Sequence, residues 1–220
     1  QVAGHQSIFF KPGKCLGCRK SIITDTIRRC LCRSIGLTDI LNTAANSDDI
    51  ILLGNKERNN HLPQIQINDM TIHPFSIPHD ARDPVSYQIE TADARIGTVT
   101  DLGYFDEAII DELKDCDLLY VEANYDLHML EVGPYPYQLK RRIAGNYGHL
   151  CNEMSGQLVG RLLNERLQQV ILGHLSKENN FPELALRAVQ NELERDFSVT
   201  KGALHISVAP RDEARALITL

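Results

Sequence analysis

Four short phrases in the last two thirds of the chain carry residues able to do chemistry: Ile77-Pro78-His79-Asp80, Thr100-Asp101-Leu102-Gly103, Gly148-His149-Leu150 and Gly173-His174-Leu175-Ser176. Each sets a His or Asp beside Gly, Pro or Ser after an apolar, strand-like run, so the side chains are expected on loops at strand ends. Neutral imidazoles grouped with a carboxylate suit a metal ion that keeps positions open for water and substrate. Each residue alone also has a plainer reading. His79 could be a surface turn residue, Asp101 the cap of the helix that follows, His174 a core histidine, and His149 a structural hydrogen-bonding group. His5, His61, His73, His128 and His205 lack such context and read as solvent-facing or packing residues.

The elements that must position these residues are legible from Pro63 onward. Strand-like runs occur at Gln64 to Ile67, Met70 to Ile77, Val85 to Glu90, Arg95 to Thr100, Leu118 to Glu122, Gln169 to Leu172 and Leu204 to Val208. Helical periodicity is expected at Phe105 to Leu113, Tyr137 to Ile143, Glu153 to Gln168 and Pro182 to Phe197, the last opening on a proline whose missing N–H costs nothing there. Early antiparallel strands followed by alternating strands and helices make an α/β (α+β) protein with sheets flanked by helices. Residues 1–62 form an unassigned N-terminal segment: a helix over 22–35 would be interrupted by cysteines, and the sequence turns polar after Ile50-Ile51-Leu52-Leu53. Residues 63–220 carry the fold.

A chain of 220 residues with 43% hydrophobic content can build one domain. Its formal charge of -6 gives no general attraction for nucleic acid, which would have to be held locally by a metal or by the Lys140-Arg141-Arg142 cluster. That cluster reads equally as a solvated helix face. No apolar run is long enough to span a membrane, so none is expected, and the chain reads as cytoplasmic. Of the six cysteines, Cys116 and Cys151 stand alone and read as reduced thiols. Cys15-x2-Cys18 and Cys30-x-Cys32 could share one zinc, although the second spacing is unusual for a zinc ribbon. A first residue of Gln1 leads us to expect missing upstream sequence.

The motifs together resemble a known family. Ile77-Pro78-His79-Asp80-Ala81-x-Asp83-Pro84-Val85, Thr100-Asp101-Leu102-Gly103-Tyr104, Val121-Glu122-Ala123-Asn124-x-Asp126-x-x-Met129-Leu130, Gly133-Pro134-Tyr135-Pro136, Leu139-Lys140-x-Arg142-Ile143, Gly148-His149-Leu150-x-Asn152 and Gly173-His174-Leu175-Ser176-x-Glu178-Asn179-Asn180 are similar to the YycJ/WalJ-type branch of the metallo-β-lactamase-fold hydrolases. The resemblance spans about residues 63–210. It implies an αββα sandwich, incomplete at its N-terminus here, with up to two Zn or Mn ions at one edge of the sheets. It further implies His79 and His174 as ligands, Asp101 as the carboxylate bridging two metals, and His149 with Glu122 as a pair that protonates the leaving group. Lys140, Arg142 and Asn152 are then substrate-binding residues, and the substrate a nucleic acid, DNA or RNA.

The departures from the family pattern are as informative. No His-x-His-x-Asp-His occurs in these 220 residues, although that loop supplies much of the family's metal shell; Gln1-Val2-Ala3-Gly4 looks like the stretch that follows it. Ser86, Tyr125 and Cys151 stand where the family tends to have Gly, His and Ser. Two functional classes follow: a metal-dependent phosphodiesterase or nuclease, and a truncated or frame-disrupted copy with little or no catalysis. A cysteine-bound zinc module within residues 15–32 is a third. Were residues 1–61 to supply substitute ligands, Cys15, Cys18, Asp25 and His61 would be the first candidates.

Overall fold

A computed structural model describes residues 50–53, 62, 64–200 and 202–211, the first four as backbone only. The Cys15 to Cys32 cluster, Asp25, His5, His61 and the expected 22–35 helix lie outside these residues. Eight strands form one sheet in strictly sequential order: β1 (Ile50–Leu53), β2 (Gln64–Ile67), β3 (Met70–Ser76), β4 (Val85–Glu90), β5 (Arg95–Val99), β6 (Leu118–Glu122), β7 (Gln169–Gly173) and β8 (His205–Val208). The sheet therefore begins inside the segment left unassigned by sequence, with Ile50 opposite Ile67.

The strands change direction halfway, and the change decides where the site can be. β1 to β5 form an antiparallel meander, while β5, β6, β7 and β8 are parallel. Parallel neighbours need crossovers, supplied by α1 (Glu107–Leu113) between β5 and β6, by α2 (Leu127–Val132), α3 (Tyr137–Ile143) and α4 (Asn152–Arg161) between β6 and β7, and by α5 (Pro182–Phe197) between β7 and β8. Sequential crossovers of one hand place their helices on one face of the sheet. Val99, Leu119, Val121, Val170 and Leu172 accordingly pack with Ile109 and Leu113 of α1, Leu158 and Val159 of α4, and Ala185, Val189 and Leu193 of α5. Each such side chain, fully buried, contributes about 1.5–3 kcal/mol. The opposite face carries a second apolar cluster of Ile65, Ile67, Ile72, Tyr87 and Ile89. Among the described residues there is one sheet; the second sheet of the expected sandwich is not among them.

Most element boundaries follow the sequence reading, and the exceptions have local causes. The helix expected to run to Gln168 ends at Arg161, because the Asn164 amide donates to the Leu162 carbonyl at 3.1 Å while its oxygen accepts from the Arg166 N–H at 2.8 Å. Such a side chain offers the backbone a turn in place of a further helical turn. The unexpected α2 is capped by Asp126, whose carboxylate accepts from the Met129 N–H at 2.8 Å.

Candidate metal centre

In a parallel sheet, ligands bind beyond the carboxyl ends of the strands. Asp101 follows β5, Glu122 ends β6 and His174 follows β7, so three neighbouring strands each deliver one polar group to the same edge. His79 arrives from the loop after β3, and His149 from the turn before α4. Close backbone approaches fix these loops. Gly103 donates to the Pro78 carbonyl at 3.0 Å, and a Cβ at Gly103 would sit 2.1 Å from the Asn146 oxygen.

The five side chains form one locus. The Asp101 Oδ1 lies 3.7 Å from His79 Nε2, 3.7 Å from His174 Nε2 and 3.7 Å from His149 Nδ1. These separations are too long for hydrogen bonds, and the two to Nε2 atoms match ligands that each stand about 2 Å from a shared ion. The His149 ring centroid is 5.2 Å from those of both His79 and His174. Two triads have donor atoms within 4.8 Å of one another: His79, Asp101, His149 and Glu122, His149, His174. The donor set fits a divalent ion.

Glu122 organises this locus from beneath. It is fully buried, and its Oε1 accepts the backbone N–H groups of Leu102 at 2.8 Å and Leu150 at 2.9 Å, while Oε2 accepts that of Asp101 at 3.0 Å. Oε2 also lies 3.2 Å from His149 Nδ1 and 3.0 Å from His174 Nδ1. Burial alone would raise the carboxyl pKa, but the hydrogen bonds and charge of His149 and His174 outweigh it and hold the group down at about 2. Glu122 is thus a permanent carboxylate, and a carboxylate only accepts, so the protons of both imidazoles are assigned to Nδ1. His79 is oriented the same way, with Nδ1 3.0 Å from the Gly148 carbonyl. The Nε2 atoms of His79 and His174 are left free as donors to an ion, both aimed at Asp101. His149 differs, because its Nδ1 is the nitrogen near Asp101; with the proton there, its own Nε2 is the free atom. Burial lowers the His174 pKa, but the Glu122 hydrogen bond and charge with that of Asp101 raise it to a net upward shift.

Among the described residues five non-glycine positions have left-handed backbone, and two of them fall at the site, the others being Asn68, Asp115 and Ser198. Asp101 has φ 60° and His174 φ 55°, both left-handed and non-glycine. Such residues cost on the order of 1–3 kcal/mol each and cluster where function requires them.

The expected substrate-binding residues sit differently from one another. Arg142 is exposed and forms a two-point ion pair with Asp80, its Nη2 2.9 Å from Oδ1. Asp80 Oδ1 is itself 3.6 Å from His79 Nε2, so Arg142 reaches the rim of the site through a carboxylate. The Lys140 ammonium donates to the Glu131 carbonyl at 2.7 Å. Asn152 is completely buried in a reciprocal amide pair with Asn180, at 2.8 and 3.2 Å, where it ties α4 to the loop before α5 and does not face solvent. Tyr125 and Cys151, two of the departures from the family pattern, are direct neighbours in an isolated bridge and share a small core with Leu130. Sequence reasoning had no role for Asn124, whose amide donates to the His174 carbonyl at 2.8 Å, for Ser155, whose hydroxyl donates to the Glu122 carbonyl at 2.6 Å, or for Asp80. Asn124 and Asp80 lie inside motifs that could have flagged them; Ser155 looks like any small helical residue.

Comparison with known proteins finds exodeoxyribonuclease YycJ of Bacillus anthracis, 32% identical over 126 residues, covering 57% of this chain and 48% of that protein. Exodeoxyribonuclease WalJ of Streptococcus pneumoniae serotype 2 is 38% identical over 125 residues, covering 57% of this chain and 46% of its own. The chain resembles the YycJ/WalJ exodeoxyribonucleases over 57% of its length. It spans about half the length of these YycJ and WalJ relatives. Among solved structures, the metallo-beta-lactamase fold protein YhfI from Bacillus subtilis is similar at 15% identity and a TM-score of 0.49, over 71% of this chain and 52% of that one. No protein-family profile matches.

Proposed function

We propose that this chain bears part of the active site of a metal-dependent phosphodiesterase acting on DNA. The observation that carries the reading is the convergence of His79 Nε2 and His174 Nε2 on Asp101 Oδ1, each at 3.7 Å, above a buried Glu122 that fixes the tautomer. His79, Asp101 and His174 would hold the ion, Zn or Mn, with Asp101 placed to bridge two. Such an ion supplies a hydroxide nucleophile at neutral pH and charge stabilisation at the phosphorus. The chain's own residues do the rest. Glu122 keeps the His149 Nδ1 proton in place and stabilises an imidazolium, so that Nε2 can hold a proton for the departing oxygen. Asn124 pins the His174 backbone. DNA as substrate is supported by what the YycJ and WalJ relatives are called. Cys116 and Cys151 are buried and unpaired among the described residues, of which no helix is long and apolar enough to cross a membrane.

The sequence also favours a second reading. With no His-x-His-x-Asp-His in its 220 residues, the chain offers few ligands, and affinity falls when too few remain to displace water. Titration of the chain with Zn²⁺ and Mn²⁺, followed by assay of labelled DNA, separates the two. Weak binding that disappears in His79→Ala, with slow metal-dependent cleavage, is expected. Metal binding that survives loss of both His79 and Asp101 would overturn the proposed site, and binding without any cleavage would support the inactive copy.

A further inference from the structure

The fourth parallel strand also delivers a residue to the site edge. After β8 the chain keeps running beside the end of β7, for the Ala209 N–H donates to the Leu172 carbonyl at 2.8 Å. This carries Arg211 to the turn after His174, where its guanidinium donates to the Leu175 carbonyl. β5, β6 and β7 contribute Asp101, Glu122 and His174 at their carboxyl ends; β8 contributes an arginine.

Lys140 and Arg142, the cations that the sequence singled out, are already engaged. Arg142 is matched by Asp80, and the Lys140 ammonium is taken up by a backbone carbonyl. Elsewhere Arg95, Arg161, Arg166 and Arg195 each have a carboxylate partner. Arg211 forms no ion pair among the described residues, and only one of its five N–H donors is used there. Its guanidinium meets the carbonyl of the residue that follows His174, which places its charge beside the locus.

Resting on the phosphodiesterase reading, we propose that Arg211 is the phosphate-binding cation of this site, and that the DNA backbone lies on the His174 side rather than on the Asp80–Arg142 side. A guanidinium fork fits two phosphate oxygens, and a bound strand would bring them to it. Arg142 would have to give up a two-point ion pair to do the same.

The test measures binding rather than turnover. A short labelled single-stranded DNA is titrated with the chain, R211Q and R211K across a range of salt concentrations, in chelator, and Zn²⁺ binding is measured in parallel. R211Q should weaken binding about tenfold at low salt and lower the salt slope by about 0.7, the value of one lost phosphate contact on a single strand. R211K should keep the slope while losing part of the affinity, because an ammonium keeps the charge without the fork. Binding by the parent chain with an unchanged slope in R211Q would overturn the Arg211 assignment and leave the phosphodiesterase reading standing. No DNA binding by the parent chain would overturn both. Loss of Zn²⁺ binding in R211Q would make Arg211 a support for His174, and so would also overturn the assignment.

Discussion

Replacing Glu122 with Gln tests the tautomer argument with a change of one atom. The new amide nitrogen must stand in place of either oxygen. At Oε1 it would oppose two backbone donors, Leu102 and Leu150; at Oε2 it opposes the Asp101 N–H and the Nδ1 protons of His149 and His174. The imidazole protons can move to Nε2, and the second placement then loses one charge-assisted hydrogen bond, about 1.5–3 kcal/mol. In a domain of this size each kcal/mol lowers Tm by about 2–4 °C, so a fall of roughly 3–12 °C is expected. The larger consequence is chemical. An amide NH2 at that position donates to the Nδ1 atoms of His149 and His174, which must then accept, moving their protons to Nε2. A protonated His174 Nε2 cannot bind an ion, so metal affinity should fall ten- to a hundredfold, the usual effect of losing a partner that orients a ligand. Calorimetric titration with Zn²⁺ well below the melting transition, with circular dichroism confirming the fold, makes the measurement. A folded Glu122→Gln protein with unchanged metal affinity would refute the reasoning.

Further outcomes follow from the same geometry. In metal-free protein the depressed Glu122 pKa, about 2 against an ordinary 4.5, contributes stability present above pH 4.5 and lost as pH falls toward 2; the loss should be on the order of 3 kcal/mol in denaturant titrations and smaller in Glu122→Gln. In any preparation with measurable turnover, His149→Ala should lower the rate by about two to four orders of magnitude with bound metal unchanged, whereas loss of metal would make His149 a ligand. Gly103→Ala forces a methyl group against the Asn146 and Tyr147 backbone, so it should cost about 1–3 kcal/mol and weaken metal binding by shifting the Asp101 loop. Gly202→Ala, at φ 87° with nothing nearby, is the control: a cost of about 1 kcal/mol and no change in metal affinity.

Strands and most helices from residue 64 onward were legible because each has a clean period, α2 being too short to show one, and the candidate site residues stood out because each sits beside a small or polar residue near the end of an apolar run. What stayed hidden depended on distance in sequence. Nothing near Asn164 distinguishes an amide that ends a helix from one that rides on it. Asn152 and Arg142 occupy motif positions that suggest substrate contact, yet one is enclosed by Asn180 and the other is held by Asp80, 62 residues away. Arg211 carries no motif at all. Its place depends on the register of β8 against β7, which only the assembled sheet defines.

The strained residues explain why the site edge was nonetheless readable. Asp101 and His174 adopt the left-handed conformation that glycine would take at lower cost, each within two residues of the end of a parallel strand. Local preference and final structure therefore conflict at both positions, and such conflicts collect at functional sites. Asp101 has its conformation held by Glu122, which accepts from its own N–H and from that of Leu102. His174 is held by Asn124 through its carbonyl and by Glu122 through its ring. One buried carboxylate thus restrains both strained positions and sets the imidazole protons. The energy that the fold spends on burying Glu122 is returned as a fixed geometry at Asp101 Oδ1, where the two Nε2 atoms meet.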